Sequence, residues 1–514
     1  MADFPMAINS PAYTLLPYEV VAEVTAHLSN RDIKNLRLAC RFFAASASLR
    51  LTRAFLSPNP LNIEVFLGIA AHEDFNKRIT EIVVDDALLP VAGTIMDVNE
   101  VAFCLETGPN ATGCENAYPP NWFHIVCHAN IEQLLDVNGI DRGERWRVEQ
   151  LPWREAWKVY VKLVEEQTEA IESGAFARAF DTGLASFPAL KKVTISGATH
   201  GRTFNPLYNT PMIRAFPPHF NYPLPSGWIG DQIVRQTCPE WKEEGSSWIG
   251  FRTAMRALAR NQFSLDRIVQ LEIDGHDLNS GLNKNIFKHE TSTAHNLEMV
   301  ISGPQFTHLQ LDFMLDGEEQ GHECLTWMRS GPLPRALQNA SSGLGLEHLV
   351  LRGNMPPREN YIWRPEQRRL PLEFLFTPKS LSRLQHFGLS GFWVRQDDVM
   401  QEVLQHLPPT IRTIELSCLE FMQGHYHGLL TSVYETSGWK ERDIQPALKI
   451  HLRDPGGIAG RVLDIDREVE AFLYRDGENP FVMSTNGLNP VCSLKPGLGV
   501  IKDAFAKNVP MSSG

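Results

Sequence analysis

Positive charge is in short supply in this chain: 48 Lys and Arg stand against 60 Asp and Glu, for a formal net charge of −12. No Lys/Arg-dense stretch offsets this locally, so a phosphate backbone would be repelled rather than gripped, and nucleic acid is excluded as a partner. Cysteine is sparse as well. Eight in 514 residues, at 40, 104, 114, 127, 238, 324, 418 and 492, are too few and too scattered for a disulfide scaffold, and no CxxC pair suggests a zinc site. No run of about 18 apolar residues is present to cross a bilayer. The opening MADFPMAINSPAYTLLPYEVV also lacks the basic flank and continuous apolar stretch of a signal peptide. The expected setting is intracellular, cytoplasmic or nuclear, with no membrane contact. The sequons at Asn110 and Asn339 are then chance matches, because that acceptor matters only in the secretory route.

Catalytic signatures are missing too. The sequence has no GxSxG elbow, no GxxxxGK[ST] phosphate loop, no HExxH and no GxGxxG after a strand. The stretch from Asp274 through His276 and Asp277 to Asn279 lacks the acidic spacing and the twelfth-position glutamate of a calcium loop, and reads as a turn after a strand. His425 and His427 have no third ligand nearby in sequence and read as surface histidines. The expectation is a non-catalytic protein without cofactor or metal.

Length points to modularity, since 514 residues exceed what one hydrophobic core usually organises. Residues 15–43, LLPYEVVAEVTAHLSNRDIKNLRLACRFF, divide into three short helical stretches. Pro17 suits a first turn, where no amide partner is lost. Val20, Val21, Val24 and Leu28 then recur at helical spacing. Ser29 followed by Asp32 starts a second helix as a capping-box variant, with Ile33 and Leu36 on one side. A third stretch carries Cys40, Phe42, Phe43 and Leu49, kept soluble by Arg41, Arg50 and Arg53. A unit this small cannot bury all its apolar groups internally, so one face needs a partner.

Leu16-Pro17, Glu19-Val20-Val21, Leu28, Asp32-Ile33, Leu36, Leu38, Cys40-Arg41 and Phe43 together resemble the F-box. That resemblance implies docking on the Skp-type adaptor of a cullin-RING ubiquitin ligase. Carried over position by position, it implies an interface and local core made of Leu16, Pro17, Val20, Ile33, Leu36, Leu38, Cys40 and Phe43. Cys40 reads as a small hydrophobe rather than a nucleophile.

Beyond residue 56, apolar residues recur at offsets 0, 3 and 5, the pattern of a leucine-rich-repeat strand. The instances are Ile79-Ile82-Val84, Leu190-Val193-Ile195, Ile268-Leu271-Ile273, Phe306-Leu309-Leu311, Leu346-Leu349-Leu351, Leu384-Phe387-Leu389, Ile411-Ile414-Leu416 and a weaker Leu448-Ile450-Leu452. Offsets 3 and 5 would turn inward on a short strand. Helical stretches intervene: Trp153, Trp157, Tyr160, Val161 and Val164 share one face, and residues 248–262 form another. The expected fold class is mixed α and β, a three-helix F-box followed by an irregular leucine-rich-repeat-like α/β solenoid, and the whole resembles the fungal F-box proteins.

The expected organisation is an F-box module with its arm over 1–56, a mostly helical linker with the first repeat-like strand over 57–180, a recognition domain over 181–478, and a poorly ordered Gly/Pro/Ser-rich tail over 479–514. Within the recognition domain, residues 200–230 hold many prolines and aromatics and read as a long loop. Aromatic and Arg side chains serve binding hot spots, so Arg202, Phe204, Tyr208, Arg214, Phe220, Tyr222 and Trp228 are candidate contacts to a protein substrate. The alternative is that these aromatics tack the loop onto the body. A second Pro- and Arg-rich segment, residues 356–371, could project from the same edge. The resemblance and the repeat pattern together lead to the expected function: a substrate-recognition subunit of a Skp-cullin-F-box type ligase, or a scaffold that binds partners without directing ubiquitination.

Overall fold

A computed structural model describes residues 17–90, 119–225, 238, 240–245, 247–261, 266–276, 278, 280–315, 325–340, 344–355, 367–486 and 489–506. Leu16, Trp228 and most of the 356–371 segment lie outside them.

The chain begins with three short helices, α1 (Tyr18–Ala26), α2 (Asn30–Ala39) and α3 (Arg41–Ser46). Ser29 caps α2 as its sequence suggests, its hydroxyl oxygen accepting from the Asp32 amide at 3.2 Å. The third helix ends at Ser46, earlier than the apolar residues to Leu49 imply. From there the chain runs extended, and Arg53 opens a strand.

Seventeen strands follow among the described residues: β1 (Arg53–Leu56), β2 (Glu81–Asp85), β3 (Lys192–Ser196), β4 (Gln270–Ile273), β5 (Leu282–Asn283), β6 (His308–Met314), β7 (His348–Gly353), β8 (His386–Ser390), β9 (Trp393–Arg395), β10 (Thr413–Ser417), β11 (Glu420–Gln423), β12 (Ala447–Lys449), β13 (His451–Arg453), β14 (Arg461–Asp464), β15 (Phe481–Asn486), β16 (Asn489–Leu494) and β17 (Val500–Asp503). Nine of them line up in chain order, β1-β2-β3-β4-β6-β7-β8-β10-β12, with β5 added beside β6. Every pairing in this sheet is parallel.

Parallel neighbours require a crossover, usually helical, and helices fill the returns. In chain order they are α4 (Pro60–Ala71), α5 (Asn121–Asn138), α6 (Trp153–Glu172), α7 (Ala175–Ser186), α8 (Ile249–Arg260), α9 (Ser292–Ile301), α10 (Pro332–Ala340) and α11 (Tyr426–Thr436), with α12 (Asp466–Tyr474) following the last parallel strand. Helix α4 starts where Asn59 caps the amides of Leu61 and Asn62 and Pro60 needs no partner of its own. Helices α4, α7, α8, α9 and α10 pack side by side in that order, a layer that covers one face of the sheet.

The apolar triplets explain that cover. Ile82, Val193, Leu271, Leu309, Leu349, Phe387, Ile414 and Leu448 stand in register across the sheet. Two positions on, Val84, Ile195, Ile273, Leu311, Leu351, Leu389 and Leu416 do the same. All of them are buried, and they join the helices in one continuous hydrophobic cluster. Each such side chain contributes about 1.5–3 kcal/mol when removed from water.

Strand β1 extends the pattern at its start. Leu51, Ala54 and Leu56 occupy offsets 0, 3 and 5, with Ala54 paired to Ile82, but the small central Ala hides the triplet in sequence. The weak triplet at 448–452 spans a change of sheet, since Leu448 ends the parallel array in β12 and Leu452 lies in β13.

The last part of the chain is more ordered than its composition suggests. Strands β13, β14 and β17 form an antiparallel sheet, and β15 and β16 form a hairpin. Within the described residues from Asn479 to 506 the glycines mark turns: Gly497 and Gly499 take left-handed backbone angles at the approach to β17.

Candidate functional site

Side chains alternate along a strand, so burying offsets 3 and 5 turns the residues between and beside them to the opposite face, and these are mostly polar, with Val83, Val350 and Gly388 as exceptions. At the β1 end Glu81 accepts from Arg53 at 2.5 Å, Lys192 at 3.4 Å and the Thr194 hydroxyl at 2.7 Å, while Lys192 also reaches Glu272 at 2.7 Å. At the middle of the sheet, His308, His348 and His386 occupy equivalent positions on β6, β7 and β8. Their rings stack, with centroids 5.5 Å and 4.1 Å apart. Burial, then the neighbouring imidazoles and cations, lowers the His348 pKa to about 3, and burial lowers those of His308 and His386 as well. The stack is therefore uncharged at neutral pH.

Farther along the same face, Arg352 lies 3.8 Å from Asp274, 4.0 Å from Asp312 and 3.7 Å from Glu415. Arg352, Glu415 and Ser417 form one wall of a cavity of about 410 Å³, and His451, Lys502 and Asp503 of the antiparallel sheet form another. In parallel α/β sheets, ligands bind beyond the carboxyl ends of the strands, and this cavity lies at that edge of β7, β8 and β10. Burial works against ionisation of Asp503, but Arg202 at 2.6 Å and Arg461 at 2.7 Å hold its carboxyl below the usual range.

The proline-rich segment is largely buried, which separates its candidate residues. Phe220 and Tyr222 lie in a second hydrophobic cluster with Leu89, Phe123, Cys127 and Tyr160, against which Trp153 and Trp157 also pack. Neither Phe220 nor Tyr222 is open to a partner, because the loop supplies core to α5 and α6 that the sheet does not reach. Buried amides clamp it: Asn221 donates to the Cys127 carbonyl at 2.8 Å, Asn130 to the Tyr222 carbonyl at 2.8 Å, and Asn62 accepts from the Met212 amide at 2.8 Å.

Arg202 is buried too, fastened to Asp503 and to the Ala459 carbonyl, with its guanidinium 5.0 Å above the Phe505 ring. Tyr208 is half-buried beside the polar face, its ring 5.5 Å from Phe55 and its hydroxyl 3.4 Å from His276. Of the described candidates in this segment, Phe204 and Arg214 are exposed. Phe204 is held outward at a positive φ of 60°, a conformation that costs a non-glycine residue about 1 kcal/mol or more.

Beneath the same segment lies a buried polar cluster. Tyr222 pairs through its hydroxyl with His200 Nδ1 at 2.8 Å, and His200 Nε2 faces Asp85 Oδ2 across 4.0 Å. Neither of those facing atoms has a hydrogen-bond partner. Burial raises the Asp85 pKa to about 7 and lowers that of His200 to about 3. Next to it in sequence, Asp86 caps α8 through the amides of Gly250 at 2.6 Å and Phe251 at 2.9 Å. A Cβ on Gly250 would come within 2.7 Å of the Asp86 carboxyl carbon, so glycine is what permits this approach.

The N-terminal candidates divide differently. Ile33 is fully buried and belongs to the local core of α1–α3, together with Val21 and Ala47. Leu36, Cys40 and Phe43 are half-buried and Pro17 is exposed. Val20 is 42% exposed and Leu38 is 85% exposed, and Tyr18 at 59% and Val24 at 50% are open as well. No residue of 17–50 belongs to either large hydrophobic cluster.

His425 and His427 are both half-buried rather than free on the surface. His425 Nδ1 accepts the Gly428 amide at 2.8 Å and caps α11. Of the Asp274–Asn279 stretch, Asp274 turns back to its own neighbour, accepting the His276 amide at 2.8 Å, whereas Asp277 and Asn279 fall outside the described residues. Cys40, Cys127, Cys238 and Cys492 are free thiols, and no helix among the described residues is long and apolar enough to cross a membrane. No protein-family model matches the chain, and no curated protein matches it.

Proposed function

We propose that this chain is a non-catalytic recognition subunit: an F-box-like module in α1–α3 docks on a Skp-type adaptor, and the repeat-like parallel array holds a target protein for a cullin-RING ligase. The observation that carries the reading is the open apolar surface of the helical trio. Tyr18, Val20, Val24 and Leu38 are each at least 42% exposed on a unit that buries only a small core of its own. Open aliphatic side chains such as Val20 and Val24, one turn apart on α1, are what a docking surface on so short a module would use. The sequence resemblance covers this same stretch.

The target-binding half of the proposal rests on the polar face, where ionised and imidazole side chains line a strand array whose other face is sealed by helices. Holding a target near a conjugating enzyme raises effective concentration, and no chemical group from this chain is required.

Co-expression with a Skp-type adaptor tests the reading. The wild type should co-purify with it in stable equimolar amounts, and Val20→Glu/Leu38→Glu or Leu16→Ala/Pro17→Ala should release it while the fold remains intact by circular dichroism. A folded wild type that never retains the adaptor removes the ligase assignment. Retention without ubiquitination of any bound partner favours the scaffold alternative.

A further inference from the structure

One cluster that touches the cavity wall through His451 takes no part in adaptor docking and was invisible in sequence. His451 lies on β13, Asp464 ends β14 and Asp466 opens α12, so the antiparallel pairing of β13 with β14 brings His451 opposite Asp464. One donor atom from each of the three lies within 4.8 Å of the others. His451 Nε2 is 3.9 Å from Asp464 Oδ2 and 3.7 Å from Asp466 Oδ1. Those distances are too long for hydrogen bonds and suit two ligands sharing an ion bound about 2.1 Å from each.

Two further observations point the same way. His451 Nε2 is closed off from solvent and has no hydrogen-bond partner, a costly state for a buried polar atom. The carboxylates are also pre-oriented: the Asp466 amide holds Asp464 Oδ1 at 2.8 Å, and the Ile450 amide holds Asp466 Oδ1 at 3.0 Å. Backbone donors of this kind fix ligand orientation in metal centres. The present counter-charge for Asp464 is Lys502 Nζ, on a half-exposed flexible arm that can swing aside.

We propose that His451, Asp464 and Asp466 form a site for a divalent first-row transition metal of the zinc class, next to the cavity that His451 lines. The imidazole ligand discriminates against calcium and magnesium. Three protein ligands and an open position would let the ion take an oxygen donor, such as a carboxylate or carbonyl of a bound molecule.

The test is calorimetric titration of the chelator-treated full chain with ZnCl₂, with cobalt absorption as a second readout of ligand geometry. The wild type should bind one zinc saturably. His451→Ala and Asp466→Asn should each weaken binding at least tenfold, the latter retaining the acceptor for the Ile450 amide and so the local fold. Lys502→Ala should bind as tightly or more tightly, because a competing cation has gone, whereas weaker binding there overturns the ligand role of Asp464. The proposal fails if the wild type shows no saturable site. It fails equally if affinity survives His451→Ala and Asp466→Asn but falls in His425→Ala/His427→Ala.

Discussion

Two segments stand out in the sequence as binding surfaces, the N-terminal helical trio and the proline-rich stretch around residues 200–225, and the structure treats them in opposite ways. The trio leaves Leu38 85% exposed and buries little beyond Val21, Ile33 and Ala47. The proline-rich stretch turns Phe220 and Tyr222 into core and threads buried asparagines through their surroundings. Aromatic and proline content alone does not distinguish a recognition loop from a loop that completes a core. What separates them is whether the neighbouring elements have an apolar face left to cover. Helices α5 and α6 do, since Phe123, Cys127, Ala156, Tyr160 and Leu163 fall in the second cluster and only Ala170 of α6 joins the main one, and the loop fills that need. The trio has no such neighbour among the described residues.

The sharpest way to break this contrast is Phe220→Ala. The ring stacks on Tyr222 at 4.7 Å, meets Phe216 at 5.3 Å and is only 5% exposed, so truncation leaves a cavity costing about 3–4 kcal/mol. Urea unfolding should show that loss, together with faster proteolysis within 199–225. A cost under about 1 kcal/mol would mean the segment is a surface loop after all.

The parallel array was legible because its signal is local and repeated. A buried triplet at offsets 0, 3 and 5 spans only six residues, and seven of the eight sequence triplets coincide with strands in mutual register. Strand β1 escaped because Ala54 is too small to read as core, and the C-terminal strands escaped because their glycines and prolines resemble a disordered tail. Partnership across long separations left no trace: Asp85 facing His200, Arg202 held by Asp503, and His451 brought to Asp464 all depend on the finished topology. The adaptor-binding candidates were legible as a helical trio, whereas their division into core Ile33 and open Leu38 needed the packing.

A subtler test concerns the polar cluster under the proline-rich segment. The Asp85 pKa is raised to about 7, above the ordinary aspartate value, so the folded state favours the protonated carboxyl. That contribution is fully present below about pH 4 and is lost as pH rises through about 7. Asp85→Asn keeps the acceptor for the Ala87 amide at 3.2 Å and carries no charge to desolvate. The variant should therefore gain on the wild type as pH rises from 4 to 7, with the gap levelling off above that at about 3–4 kcal/mol. The depressed His200 acts in the opposite sense, withholding stability as pH falls from about 6.5 toward about 3, and being common to both proteins it cancels in the difference. Urea midpoints at pH 5 and pH 8 decide the matter, and a gap that is constant or shrinks removes the assigned burial penalty.

The smallest expected effect on stability comes from the most exposed apolar side chain. Leu38→Gln preserves helix propensity and removes no packed group, so its unfolding free energy should stay within about 0.5 kcal/mol of wild type. Adaptor retention should nevertheless fall steeply if the proposed docking surface is used, because an open leucine there would contribute to binding what it cannot contribute to folding. Stability unchanged with retention lost would place the function of α1–α3 in its surface. A loss of more than about 1.5 kcal/mol would show instead that Leu38 is covered by another part of the chain, and the trio would then be one more element completing a core, as the proline-rich segment is.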